Sequence, residues 1–292
     1  MSSKTILIVG ANSQLAHSLN NLFDENDFNI IRVSYNKGPL VDVVSNFSVF
    51  DQTYQLIQET NPDFIINCAA LTNVDFCEKN KKKSYEVNVK ISQNILKSMS
   101  VNSKLIHIST DYIFDGNKAP YDENSSPNPI NYYGKTKLES ENLIRASQKK
   151  YVIIRTGSLF SEFIDLNSNK LCWIFNKLKN NEKIFTATDM ISTPTSTASL
   201  AKIIFDLLSF NQNLIINYSG QDSMSVYEFS LLVSKIFNFN KELIVPVLMG
   251  DLPFKAKRPK NTSLKTDLIS DLLNCNIYET EYSLNIIKDI VI

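Results

Sequence analysis

Glycine is scarce in this chain, with 7 among 292 residues. Depletion on that scale accounts for part of the glycine missing from the loop after the first strand. Cysteine is sparse too, and Cys68, Cys77, Cys172 and Cys275 show no close pairing. This argues against a zinc site and for a reducing compartment. Cys68, inside an apolar run, reads as a buried free thiol. The two histidines, His17 and His107, are too far apart along the chain to suggest a metal site or a triad. Net charge is absent as well: 30 basic residues balance 30 acidic ones, and the pI is about 6.7. No electrostatic case arises for nucleic acid or an anionic membrane. The lysine run at 79–83 is broken by Asn80 and followed by Glu86, as in an exposed helix start. No apolar run reaches membrane-spanning length. The N-terminus enters KTILIVG without the flanks of a signal peptide, so a cytoplasmic location is expected. No internal repeat or low-complexity linker divides the chain, so its parts are expected to pack closely.

What the chain does have is alternation. Apolar strands are predicted at residues 4–9, 29–34, 63–69, 105–109 and 151–156. Helical spacing occupies 12–23, 49–59 and 84–100 between them. This pattern predicts an α/β fold, a Rossmann-type doubly wound parallel sheet with right-handed crossovers. Beyond residue 156 the alternation is less regular, with helices at 170–180, 196–208 and 226–237. A smaller C-terminal α/β substrate lobe is expected there. The division reads as 1–155 with 194–218 for the dinucleotide domain, and 156–193 with 219–292 for the substrate lobe. Such sheets bind ligands at the carboxyl ends of their strands. Gly10, Ala69 and Thr110 all fall at such ends.

The stretch 107–141 carries the chemistry. Thr110 ends a strand, and Tyr133 and Lys137 follow near the start of a polar helix. Residues four apart share one helix face. Of the 12 tyrosines, only Tyr133 has a lysine at that spacing. A nearby cation favours the phenolate and makes tyrosine a better acid. A hydroxyl beside it would fix a carbonyl oxygen. This is a proton-donor set of the kind that reduces a ketone.

The loop after the first strand reads Gly10-Ala-Asn-Ser13-Gln-Leu-Ala16 and keeps only the first glycine of a dinucleotide fingerprint. The Ser13 side chain stands where backbone would approach phosphate, and its hydroxyl is able to donate instead. The second strand ends in VSYNK without an acidic residue. Ser34 and Lys37 are therefore candidates for a 2′-phosphate, which favours NADP.

These pieces resemble the dTDP-4-dehydrorhamnose reductases, a branch of the extended short-chain dehydrogenase/reductase superfamily. The resemblance rests on GANSQLA, NPDFIINCAALTNVDFCE, EVN, HISTDYIFDG, PNPINYYGKTKLESE, IRTGSLF, DMISTPT, NYSG and RPKNTSL, and runs nearly end to end. It implies NADPH-dependent reduction (NADH being the alternative) of the 4-keto group of a nucleotide-linked 6-deoxyhexulose. Thr110 would orient the keto oxygen and Tyr133 would protonate it. Lys137 would hold the nicotinamide ribose and lower the Tyr133 pKa. Gly10, Ser13, Gln14 and Leu15 would line the pyrophosphate. Asp42 and Val43 would sit by the adenine, and Ala69, Ala70 and Thr72 along the ribose and phosphates. Asp111 and Tyr112 would face the sugar, and Arg258 and Asn261 the substrate's nucleotide. Ser158 stands where the family commonly has a tryptophan closing on the sugar. Met190 and Ser192 replace a glutamine and a glycine nearby. The implied partner is a nucleotide sugar, with no nucleic acid and no membrane; a homodimer is left open.

Other residues have simpler readings. Trp173 is assigned to the core, with a lesser role in replacing the surface missing at Ser158. Arg155 reads as structurally paired, and Asp75 and Glu78 as a solvated pair. Two rival functions stay in view. One is an epimerase or dehydratase of the same superfamily, and the other an NADP-binding regulatory subunit without turnover.

Overall fold

Three of the predicted strands are so apolar that only a sheet covered on both faces accommodates them. In the computed structural model, which describes residues 3–24, 28–163 and 170–291, they form the middle of a seven-stranded parallel sheet. β1 (Thr5–Val9), β4 (Phe64–Asn67) and β5 (Lys104–Thr110) occupy its centre. β2 (Asn29–Ser34) and β3 (Val43–Val44) extend it on one side, and β6 (Lys150–Thr156) and β11 (Leu214–Asn217) on the other. The order is β11-β6-β5-β4-β1-β2-β3. The chain moves outward from β1 in one direction and then, from β4, in the other. The switch point lies between β1 and β4, where such sheets open a ligand crevice.

Helices cover both faces. α1 (Gln14–Asp24) and α8 (Thr197–Leu208) pack on one side, where Ile8, Leu15, Leu19, Phe23 and Leu200 share a core. α2 (Phe50–Thr60), α5 (Ile91–Ser98) and α6 (Tyr132–Ala146) pack on the other, around Leu7, Ile57, Ile65 and Ile95. Full burial of each such side chain contributes roughly 1.5–3 kcal/mol. A third core lies outside the sheet, between α7 (Lys170–Lys179), α9 (Val226–Phe237) and α11 (Thr280–Val291). It is built on Phe160, Phe175, Phe229 and Phe237. Among the described residues, no helix is long and apolar enough to cross a membrane.

The expected helix at 84–100 is not continuous. α3 (Val74–Lys79) and α4 (Lys81–Tyr85) precede a π-helical turn, Glu86–Lys90, which runs into α5. The wider turn lets the Asn88 amide reach sideways. Its oxygen accepts from Leu71 N at 2.7 Å, and its nitrogen donates to Leu71 O at 3.2 Å and Thr136 Oγ1 at 3.0 Å. One side chain thus joins the loop after β4 to α6. Asp75 and Glu78 are likewise ties rather than a solvated pair. Asp75 accepts from Lys255 N and Ala256 N and pairs with Arg258 at 3.2 Å. Glu78 accepts from Tyr132 N at 3.0 Å, at the start of α6.

Candidate active site

A cavity of about 700 Å³ opens at the switch point, along the carboxyl ends of β1, β4, β5 and β6. Its wall starts at Gly10. The φ of +87° there, and the 2.6 Å that would separate an added Cβ from Ala69 N, admit no other residue without displacement. Ser13 caps α1, its hydroxyl accepting from Ala16 N at 3.2 Å. The hydroxyl thus serves the helix, whose N-terminal N–H groups face a ready anion site. Ser13, Gln14 and Leu15 line the cavity with Gly10. Gln14 Oε1 is buried and has no hydrogen-bond partner among the described residues. Asn12 ties the loop to the end of β2, donating to Ser34 Oγ at 3.2 Å and Asn36 O at 3.0 Å. Ala69, Ala70 and Thr72 continue the wall along the β4 loop that Asn88 holds.

Thr110, Tyr133 and Lys137 meet on this wall. Thr110 ends β5, and its hydroxyl accepts from Tyr112 N at 3.2 Å and donates to Asp111 Oδ1 at 3.1 Å. Asn131 caps α6 by accepting from Gly134 N at 2.9 Å, which sets Tyr133 in the helix's first turn. Gly134 lets that turn lie against the Tyr112 segment; a Cβ there would come within 2.1 Å of Tyr112 O. Lys137 sits one turn on, fully buried, and its ammonium donates to Ile108 O at 2.7 Å. His107 Nε2 lies 3.3 Å from the same ammonium. Burial holds His107 well below its ordinary pKa, with Lys137 adding to the effect, so the ring stays neutral.

The electrostatics differ from the sequence expectation at one point. Burial pushes the Tyr133 phenol up, against the nearby Thr110 hydroxyl, which pulls it down. Lys137 was expected to acidify the phenol, but its hydrogen bonds are directed at Ile108 and His107. Tyr133 therefore keeps its proton at neutral pH. Burial also lowers Lys137 to about 8, opposed by Glu141 and Cys68. Burial raises Asp111 to about 6, opposed by the hydroxyls of Thr262 and Thr110. Glu141 and Arg155 form a buried ion pair at 2.9 Å beneath the site, with Ser109 donating to Glu141. Arg155 is thus paired structurally, as expected.

Asp111, Tyr112 and Ser158 line the cavity as well. Ser34 does so beside Tyr35. Five expected residues lie elsewhere. Lys37 is exposed in the loop after β2. Asp42 accepts from Arg32 N at 2.9 Å and pairs with its guanidinium, and Val43 belongs to β3. Arg258 pairs with Asp75 and stacks on Phe254 at 4.7 Å. Asn261 accepts from Ser263 N and Oγ within its own turn. Trp173 is 41% exposed on α7 and does not line the cavity, so it neither joins the core nor replaces the surface missing at Ser158. Among the lining residues not singled out beforehand are Tyr35, Lys83 and Lys170. Lys83 lies 5.5 Å from the Tyr35 ring, and the lysine run that holds it gave no signal beyond a solvated helix start.

The site has two parts of a dinucleotide cradle: a glycine forced by close approach and a capped helix N-terminus. Comparison with known proteins agrees. Residues 4–290 match the model of the RmlD substrate binding domain. The chain is 28% identical over 292 residues to methionine adenosyltransferase 2 subunit beta of Danio rerio, covering 98% of this chain and 90% of that protein. It is 29% identical over 277 residues to dTDP-4-dehydrorhamnose reductase of Aggregatibacter actinomycetemcomitans, covering 89% and 90%. The crystal structure of dTDP-4-dehydrorhamnose reductase from Bacillus anthracis in complex with NADP is similar over 99% of both chains, with a TM-score of 0.89 and 28% identity.

Proposed function

The chain belongs to the RmlD substrate binding domain family, and from that premise we propose that it is an NADPH-dependent reductase of nucleotide-linked 4-keto-6-deoxyhexoses in deoxysugar biosynthesis. The observation that carries this reading is the meeting of Thr110, a proton-bearing Tyr133 and Lys137 on one cavity wall beside Gly10 and α1. A bound NADPH supplies hydride to the carbonyl carbon. Thr110 fixes the keto oxygen by turning its hydroxyl from Asp111 onto it. Tyr133 releases its proton to that oxygen as negative charge builds there, giving the alcohol. Lys137 stands one turn away as the cation that steadies the resulting phenolate. Gly10, Ser13, Gln14 and Leu15 hold the pyrophosphate, and Ala69, Ala70 and Thr72 the adjoining ribose. Residues 1–155 and 194–218 form the cofactor domain, and 156–193 and 219–292 the sugar-binding lobe. Residues 1–2, 25–27, 164–169 and 292 of these ranges lie outside the described residues.

Stopped-flow loss of NADPH absorbance with dTDP-, UDP- and GDP-linked 4-keto-6-deoxysugars tests the reading. Turnover with one of them is expected, and none with any would overturn it. Tyr133→Phe should lower kcat roughly 10²–10⁴-fold with NADPH affinity unchanged.

A second reading is favoured by the likeness to methionine adenosyltransferase 2 subunit beta. In it the chain binds NADP, turns nothing over and serves as the subunit of another enzyme. Tyr133→Phe separates the two, since a binding subunit would lose nothing. An epimerase or dehydratase would instead be purified with tightly bound NAD and show no net NADPH use.

A further inference from the structure

Around Ser158 the cavity wall carries a polar cluster that the mechanism above leaves unused. Ser158 adopts a φ of +47°, and its Oγ lies 2.6 Å from Ser192 Oγ. Lys170, the first residue of α7, donates to Ser158 Oγ at 3.1 Å. Lys170, Ser158 and Asp111 all line the cavity, close to the Thr110–Tyr133 pair. The Asp111 carboxylate is buried and partly engaged. Oδ1 accepts from Thr110 and Oδ2 from Thr262 Oγ1. Burial lowers the Lys170 pKa and the charge of Asp111 opposes that shift, so the two groups feel each other electrostatically.

A lysine ammonium has three donors. Among the described residues one is directed at Ser158. Lys170 is only partly buried and lines the cavity, so its other donors are open to a ligand oxygen there. The neighbouring carboxylate decides which oxygen. A phosphate or carboxylate group would gain from Lys170 but meet the like charge of Asp111. A sugar hydroxyl meets no such conflict, because it accepts from the ammonium and donates to a free lone pair of the carboxylate.

We propose that Lys170, braced by Ser158, is a specificity-determining residue that hydrogen-bonds a ring hydroxyl of a neutral hexose. This assignment rests on the nucleotide-sugar reading and names the contact that selects the sugar within it. The pocket then grips its sugar by directed donors rather than by a flat apolar face, and disfavours uronic acids and ring-deoxygenated sugars.

Calorimetric titration tests it on the full chain saturated with NADP+. The ligands are dTDP-glucose and UDP-glucose, each compared with its free nucleoside diphosphate. Lys170→Met should weaken the sugar nucleotide that the wild type binds by roughly 10–100-fold, as for loss of a charged hydrogen bond. The free nucleotide and NADP+ should stay within about twofold, which also shows that the variant is folded. Lys170→Arg, which keeps charge and donors, should recover part of the loss. If methionine prevents folding, Lys170→Gln serves the same comparison. Unchanged dTDP-glucose and UDP-glucose binding in Lys170→Met would overturn the assignment. So would equal weakening of the sugar nucleotide and its free nucleotide. Turnover of a 4-keto sugar by the wild type alongside either result would sink the role of Lys170 alone. Failure of the wild type to bind any of these nucleotides, with NADP+ bound, would sink the underlying reading as well.

Discussion

Lys137 is a cation buried to 1% exposure, and it is costly before it is useful. Its pKa falls from 10.5 to about 8 in the folded chain because burial disfavours the charge. Between those values the unfolded chain binds more protons than the folded one, so stability rises with pH across the window. Below pH 8 the penalty is fully present. Lys137→Met is therefore expected to be at least as stable as the wild type at pH 7, and its advantage should shrink from pH 8 to 10.5. Turnover should fall even so, a residue kept for chemistry at the expense of stability. Chemical denaturation across pH, read beside kcat, checks this; a clear loss of stability at pH 7 would refute it. The pairing of Tyr133 with Lys137 was legible because helix period alone brings residues four apart together. The direction of the lysine ammonium was not. It depends on Ile108 and His107, which are 29 and 30 residues away along the chain. Lys170 was illegible for a related reason: a lone lysine at a helix start is normally solvated, and only the fold sets it on the cavity wall.

At the scale of elements, the parallel sheet followed from strands alternating with helices, and runs such as FIIN, which tolerate no exposed face, belonged in its interior. The break in the helix near Asn88 did not, because apolar spacing continues through it. Asn88→Ala removes three hydrogen bonds that join the β4 loop to α6. A loss of about 1–3 kcal/mol in unfolding free energy is expected for the orphaned backbone groups. NADPH affinity should drop too, because Ala70 and Thr72 lie on that loop. The Glu141–Arg155 pair links α6 to β6 under the site, with both side chains at 3% exposure or less. Glu141→Gln leaves an uncompensated buried guanidinium and should cost about 3–5 kcal/mol. Thermal melts of both variants check these values. The Asp75 carboxylate is a milder case. Although burial opposes it, the N–H groups of Ala256 and Lys255 and the Arg258 guanidinium hold it below its ordinary range. Its contribution should be present at neutral pH and fade as pH drops through the lowered value. A pH series on Asp75→Asn should show the difference from wild type vanishing in acid.

For the whole molecule, the doubly wound sheet was readable because each crossover is local, whereas the long connection from Asp111 to Asn131 was not. Its ties reach far along the chain: Tyr121 pairs with the segment around Leu264, and Asn217 with Tyr121 O and Glu123. Through these the sheet edge and the C-terminal segment are held against the strand that carries Thr110. NADPH at a hundred times its Kd should raise unfolding free energy by about 2.7 kcal/mol, visible as a higher melting temperature. The cavity itself has a kinetic corollary. One continuous room runs from Tyr35 and Lys83 at one end to Ser158 and Lys170 at the other, with Tyr133 on its wall. A nicotinamide bound beside Tyr133 and a sugar bound beside Ser158 would share this room, so the later arrival would hem in the earlier. Steady-state turnover should then be compulsory in sequence, coenzyme entering first and departing last. NADP+ would compete with NADPH for free protein, while the alcohol product would inhibit non-competitively against the same coenzyme.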